Sequence, residues 1–175
     1  MSALSSRHVW TYRLIFLLLS LVLITLKLLP LNLDTFGIPG PDILVVLAFA
    51  WMLRQPAVVP LGLLLLIFLL ADFLFMRPPG LWTAMMLLAS ESLRRRRLTM
   101  TELPFLVEWS GVAVAVMGMV LLNRLILWVL LVDLDPLGLT LAHAIVTIVI
   151  YPLVVGVSKF VFGLRKLGPA ELEAL

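Results

Sequence analysis

The sequence predicts an all-α membrane bundle of about six transmembrane helices, forming one integral domain over residues 1–175. Three observations predict it. Hydrophobic residues make up 63% of the 175 and charged residues 13%, and mean hydropathy is +1.18. A soluble domain is about 45–50% apolar and about 25% charged. At this size it still leaves roughly 30% of its surface in water, so such an apolar excess has no soluble core to occupy. Proline and glycine clusters divide the chain into apolar runs. Six spans of about 20 residues use about 120, which leaves only tails and short loops. A soluble enzyme and a disordered chain are both excluded.

The first span is Leu14–Leu29. Arg7 and Arg13 precede it as in a signal sequence, but no small-x-small cleavage site follows, so it reads as an uncleaved span ended by Pro30. The loop Pro30–Pro41 carries Gly37, Pro39 and Gly40. Span 2 runs Asp42–Leu53, with Asp42 placed to cap its first turn. Arg54-Gln55-Pro56 reads as a tight turn, and span 3 as Ala57–Met76, with Pro60 in its first turn. Arg77-Pro78-Pro79-Gly80 ends it. Span 4 is Leu81–Leu93, followed by Arg94–Arg97. Span 5 runs Phe105–Val132 after Pro104. Asp133-Leu134-Asp135-Pro136 is the next turn, and span 6 is Leu137–Val157.

Spans 2 and 4 reach only about 18–20 Å at 1.5 Å per residue, against a hydrocarbon core of about 30 Å. Span 4 gains length where its arginines snorkel into the headgroups. Span 2 either recruits the Pro-Gly segment before it or is re-entrant. Short, inward-packed spans are the favoured reading. Leu70-Ala71-Asp72 … Pro79-Gly80-Leu81 echoes Leu131-Val132-Asp133 … Pro136-Leu137-Gly138-Leu139. The echo fits a three-plus-three repeat or the reuse of turn residues.

With the N-terminus in the cytoplasm, Arg7, Arg13, Arg54, Arg94, Arg95, Arg96, Arg97, Lys159, Arg165 and Lys166 fall inside. They are ten of the thirteen basic residues. Lys27, Arg77 and Arg124 are the others, while Asp34, Asp133 and Asp135 fall outside. Both termini are therefore expected in the cytoplasm. The pI of 9.8 follows from this topology signal. Nucleic acid is not an expected partner, because no basic patch is interleaved with aromatics.

No enzyme motif is present. Cysteine is absent and only His8 and His143 are available, so neither a metal nor another cofactor is expected. Ser90-Glu91-Ser92 reads as the interfacial end of span 4. The informative residues are ionisable groups in apolar runs, each costing about 2.5–3.5 kcal/mol near the bilayer centre unless paired or functional. Asp72, Arg124 and His143 fall at similar depths in the outer third. An Asp72–Arg124 pair near His143 is expected, either as a structural pair or as a partner or substrate site. A break near Asn123 would remove Arg124 from this band.

At the inner side, Glu91 has Arg94 and Arg95 at i+3 and i+4, a favourable order on a helix. Glu108 stands beside Trp109 just inside span 5. Trp10, Trp82, Trp109 and Trp128 read as interfacial anchors. Arg94–Arg97 keeps its loop inside and attracts anionic lipid at about 1 kcal/mol per charge, or docks an acidic protein. Small residues at Gly111, Ala115 and Gly118 allow close helix approach.

The run Gly40-Pro41-Asp42 … Trp51-Met52-Leu53-Arg54-Gln55-Pro56 … Pro60 continues through Leu70-Ala71-Asp72, Arg77-Pro78-Pro79-Gly80-Leu81 and Glu91-Ser92-Leu93-Arg94. Pro104-Phe105, Glu108-Trp109, Tyr151-Pro152 and Gly163-Leu164-Arg165-Lys166 follow in order. Over residues 10–170 this resembles the rod shape-determining MreD family, most of all its alphaproteobacterial branch. The resemblance implies a non-enzymatic inner-membrane component of the cell-elongation machinery, with a fold like the substrate-binding subunits of energy-coupling-factor importers. Its implied partners are MreC, MreB filaments, the wall polymerase and the penicillin-binding transpeptidase, with a homo-oligomer also open. It transfers no individual functional residue. The alternative reading is a small-molecule-binding subunit of an importer. That would need an outward polar pocket, which the Asp72–Arg124–His143 band is placed to line.

Overall fold

All helices but the first begin just after a proline or glycine, because proline presets helical φ and gives up no needed donor in a first turn. The computed structural model describes residues 6–29, 40–101 and 104–163. Its six helices there are α1 (Ser6–Leu28), α2 (Ile43–Arg54), α3 (Leu61–Leu74), α4 (Leu81–Thr101), α5 (Phe105–Val129) and α6 (Leu137–Phe162). No strand occurs among the described residues. Pro60, Pro104 and Pro136 occupy the positions before α3, α5 and α6. Three helices are long and apolar enough to cross a membrane: α1 from His8, α5 and α6. Helices α2 and α3 are shorter apolar helices.

The chain alternates direction from helix to helix, as its end contacts show. At one end, Tyr12 donates to the Phe162 carbonyl at 3.2 Å, and Arg13 to the Ala57 carbonyl at 2.8 and 3.1 Å. Arg94 donates to the Val59 carbonyl. At the other end, Lys27 lies 3.4 Å from Asp42, and Arg124 donates to the Asp135 carbonyl at 2.8 Å. Arg13, Arg54, Arg94 and Lys159 therefore collect at an arginine end. Lys27, Arg77 and Arg124 share an aspartate end with Asp42, Asp72, Asp133 and Asp135.

Helix α2 is apolar on every side, and a helix of that kind belongs in the middle of a bundle. Every residue from Leu44 to Arg54 is buried. It packs chiefly against α6, with α4 and α1 on its other sides. Its shortness is thereby explained. Its backbone N–H at Asp42 reaches the Thr147 hydroxyl, and Trp51 Nε1 reaches the Ser158 hydroxyl at 3.2 Å. It runs parallel to α6 and starts level with Thr147, about 15 Å along α6 at 1.5 Å per residue. The first turns of α6 rise past it and leave a recess at the aspartate end. The tightest aromatic packing lies at the other end. Trp51 is fully buried against Tyr12, Phe16 and Phe162, with ring centroids 6.4, 5.5 and 5.2 Å away.

Several boundaries differ from those read in the sequence. Helix α1 starts earlier than Leu14, and α6 runs past Val157. Helix α4 continues through the arginines, as snorkelling requires. Ala57–Val59 is not helical. Val58 N–H donates to the Gln55 carbonyl in a turn, and the Ala57 and Val59 carbonyls are the acceptors for Arg13 and Arg94. Helix α5 is continuous through Asn123, as one span requires, and stops at Val129, so Leu130–Val132 lie outside the helix.

Both α3 and α5 stop in the same way. Met76 (φ 55°) and Leu131 (φ 57°) turn left-handed. The N–H groups of Arg77 and Val132 then reach the carbonyls of Asp72 and Leu127, the double closure of a Schellman motif. A side chain in this region costs about 1–2 kcal/mol, so Gly at either position fits the backbone better. The shared stop pairs Met76 with Leu131, whereas the sequence echo pairs Asp72 with Asp133. The two registers do not coincide, which favours reused turn chemistry.

Residues 30–39 with Asp34, and residues 164–175 with Arg165, Lys166, Glu171 and Glu173, lie outside the described residues, as do the side chains of Arg7 and Arg97.

Candidate functional site

Three places bring the sequence candidates together: a buried cluster at the arginine end, a recess at the aspartate end, and a groove between α4 and α5.

The buried cluster follows from α2 being central. Its last residue, Arg54, has no route to solvent and needs an anion. Glu108, in the first turn of α5, supplies it. Arg54 Nη1 donates to Glu108 Oε1 at 2.9 Å, with side chains only 6% and 1% exposed. Tyr151 on α6 donates its hydroxyl to the same oxygen at 2.6 Å, and Arg54 also donates to the Ala50 carbonyl. Both charges sit at the helix ends their signs favour, the anion at an N-terminus and the cation at a C-terminus. Sequence reading placed Arg54 in a tight turn and set Glu108 beside Trp109, which here donates Nε1 to the Ile148 carbonyl at 2.9 Å. The apolar character of α2 on all sides was the available signal that Arg54 would be buried.

At the aspartate end, the expected Asp72–Arg124 pair is not formed. Asp72 is fully buried. Its Oδ2 accepts from Gly80 N–H (3.1 Å), Thr83 N–H (3.1 Å) and the Thr83 hydroxyl (2.8 Å). It caps α4 from outside that helix, and the positive helix end stabilises the carboxylate. Gly80 has no side chain to cap α4 itself, so the acceptor comes from α3. Arg124 Nη1 instead donates to the Asp135 carbonyl and the Thr140 hydroxyl, both at 2.8 Å. Asp42 also differs from expectation: its carboxylate makes no cap bond and faces Lys27. His143 Nδ1 lies 2.8 Å from the Gly40 carbonyl, so this nitrogen carries the proton, because a carbonyl only accepts. Arg124 and His143 do line one recess, of about 340 Å³, between α4, α5 and α6. Asp72 is not on its wall.

Glu91 and Arg95 form the expected helical pair at 2.9 Å. Arg94 does not join it. Its guanidinium is drawn to the Val59 carbonyl and ties α4 to the turn before α3. Trp10 and Trp128 are exposed at helix ends as anchors would be, whereas Trp82 is buried. Arg94→Ala is expected to lower stability by about 1–3 kcal/mol, the usual loss when a charged donor leaves a shielded acceptor. Arg95→Ala should barely change it, its pair being exposed. Thermal unfolding of the purified variants in detergent checks this contrast.

The groove, about 550 Å³, runs between α4 and α5. Gly111, Ala115 and Gly118 lie along it, with Ser92, Ser110 and Arg96 toward the arginine end. Its lips are exposed, Leu88 by 67% and Val114 by 74%. A Cβ added at Gly118 meets nothing within 4 Å, so the groove is open at that position. Among the described residues, no three His, Asp or Glu side chains gather as a metal ion would need.

Comparison with protein-family models, curated proteins and solved structures gives no match. The geometry of these three places, and the resemblance in sequence, therefore carry the functional argument.

Proposed function

We propose that the chain is a non-enzymatic scaffold of the bacterial inner membrane. It crosses six times with both termini in the cytoplasm, and serves cell elongation as an MreD-like protein. The α4–α5 groove carries this reading. It is long, apolar and floored by small residues, which is the surface a single membrane helix needs for close approach. The bitopic partner MreC would bring such a helix, linking periplasmic wall synthesis to cytoplasmic MreB. Among the described residues Arg13, Arg54, Arg94, Arg95, Arg96 and Lys159 gather at one end and Lys27, Arg77 and Arg124 at the other, an excess that supports the orientation, and the Arg94–Arg97 run suits anionic lipid.

Gly118→Leu tests the groove, since the Cβ it adds meets nothing within 4 Å, and an unchanged melting temperature in detergent checks that the fold is kept. Copurification of MreC from native membranes is expected to fall about tenfold, the effect of losing about 1.4 kcal/mol of contact, and rod shape to be lost at normal protein level. Unchanged recovery of MreC would remove this reading. Orientation is tested separately. A reporter fused after Lys166 should read cytoplasmic, and one within Pro30–Pro41 periplasmic. A periplasmic C-terminus would refute six spans.

One observation favours a second reading. The recess at the aspartate end, which faces outward in the proposed orientation, would serve as the polar pocket that a binding subunit of an importer requires. Retention of a small molecule by the purified protein, with no elongation protein recovered, would favour it.

A further inference from the structure

The recess lined by Arg77, Trp82, Asn123, Arg124, Thr140 and His143 holds donors that the chain leaves without acceptors. The Arg77 guanidinium lies over the rings of Phe75 and Trp82, at 5.3 and 5.4 Å. No oxygen of the described residues accepts from it. Trp82 is nine-tenths buried, and among the described residues its Nε1–H has no partner. A buried donor in that state costs about 1–3 kcal/mol, and Trp82 is one of the side chains that line the recess. Arg124 uses Nη1 for both of its bonds, to the Asp135 carbonyl and to Thr140. Those bonds fix the guanidinium and leave the rest of its fork for another acceptor.

Two anchored guanidinium groups and an indole N–H fit an anion with several oxygens, and the planar fork matches phosphate in a bidentate way. Asp133 and Asp135 are exposed and line the same recess. They offset the two cations, so the recess carries no excess positive charge that would favour a polyanion, and recognition rests on the directed guanidinium donors. Val120, Leu127 and Leu139 supply an apolar wall against which the rest of the ligand can lie.

The geometry points to a binding site for a single phosphate group, held by Arg77, Arg124 and Trp82 and borne by a lipid headgroup or a small phosphorylated solute. The site is separate from the α4–α5 groove and does not depend on the scaffold reading.

Native mass spectrometry of the detergent-purified protein tests it, with dioleoyl phosphatidylglycerol and sn-glycerol 3-phosphate as probes. One retained phosphate-bearing adduct per chain is expected. Its apparent affinity should fall about tenfold or more in Arg77→Gln and in Trp82→Phe, as for loss of a charge-assisted contact. Lys159→Gln, at the arginine end, should bind as the unaltered chain does. Arg77→Lys keeps the charge and removes the fork, so weaker binding at unchanged melting temperature separates recognition from misfolding. Retention of the lipid alone assigns the phosphate to a headgroup, and retention of both probes assigns it to a solute-accessible site. Retention of neither, or equal binding by Arg77→Gln and Trp82→Phe, overturns the proposal.

Discussion

Glu108→Ala is expected to destabilise the bundle by about 3–5 kcal/mol, the usual consequence of stranding one member of a buried ion pair. Arg54 would keep its guanidinium in a pocket 6% exposed, and the Tyr151 hydroxyl would lose its 2.6 Å acceptor. Arg54→Leu should cost a similar amount, because it removes the cation that lies 2.9 Å from the buried Glu108 carboxylate. The double variant Arg54→Leu, Glu108→Leu should recover most of the loss. Apolar replacement of both members of a buried pair is often neutral, and the surroundings are already apolar. Unfolding in detergent of the wild type, both single variants and the double variant gives the coupling energy. Additive losses would show that the two charges are independently solvated and that the cluster is not a pair. Glu91→Ala provides the contrast. Its 2.9 Å partner, Arg95, is exposed, and exposed pairs are worth about 0–1 kcal/mol.

Asp72→Ala should be the next most damaging change, at about 2–4 kcal/mol. Three donors at the start of α4 converge on one oxygen. The Thr83 donors are buried and would be left without an acceptor. Asp72→Asn should lose less, since an amide oxygen can still accept, and what disappears is chiefly the attraction between a carboxylate and the positive helix end. Arg124 decides whether this account is right. Asp72 and Arg124 have separate partners, so their alanine variants should add within about 0.3–0.5 kcal/mol, as unconnected sites do. The exchange Asp72→Arg, Arg124→Asp should recover nothing. A coupling well beyond that range, or recovery by the exchange, would restore the direct pair that depth alone suggested.

The difference between these expectations and a reading by depth is instructive. Asp72, Arg124 and His143 do share one end of the molecule. Depth along a helix follows from counting residues at 1.5 Å each, and the count was sound. Depth does not say which way a side chain points. Each residue turns the face by about 100°, so a partner one position away in sequence lies on another side. Asp72 faces the start of α4, where Gly80 leaves a cap to be supplied. Arg124 faces the 133–136 turn and Thr140. Likewise Glu91, with candidates at i+3 and i+4, selected Arg95, because Arg94 faces the bundle and reaches Val59.

What the sequence by itself determined is local. Hydropathy set the helical class and the helices long enough to cross a membrane. Proline and glycine set most helix starts, because their effect on φ acts within one residue. The placement of most basic residues at the end away from the aspartates, with Lys27, Arg77 and Arg124 as the exceptions, followed from counting alternating helices. The tertiary structure alone decided which helix is central and how far along its neighbours it starts. That choice buried Arg54 against Glu108 and Tyr151, opened the recess where α6 rises past α2, and left Gly118 facing a groove. The physical reason is that apolar helices of similar hydropathy can pack in many orders at nearly equal burial. Partner-specific hydrogen bonds across separations such as 54 to 108 distinguish those orders, and no local pattern in the chain records them.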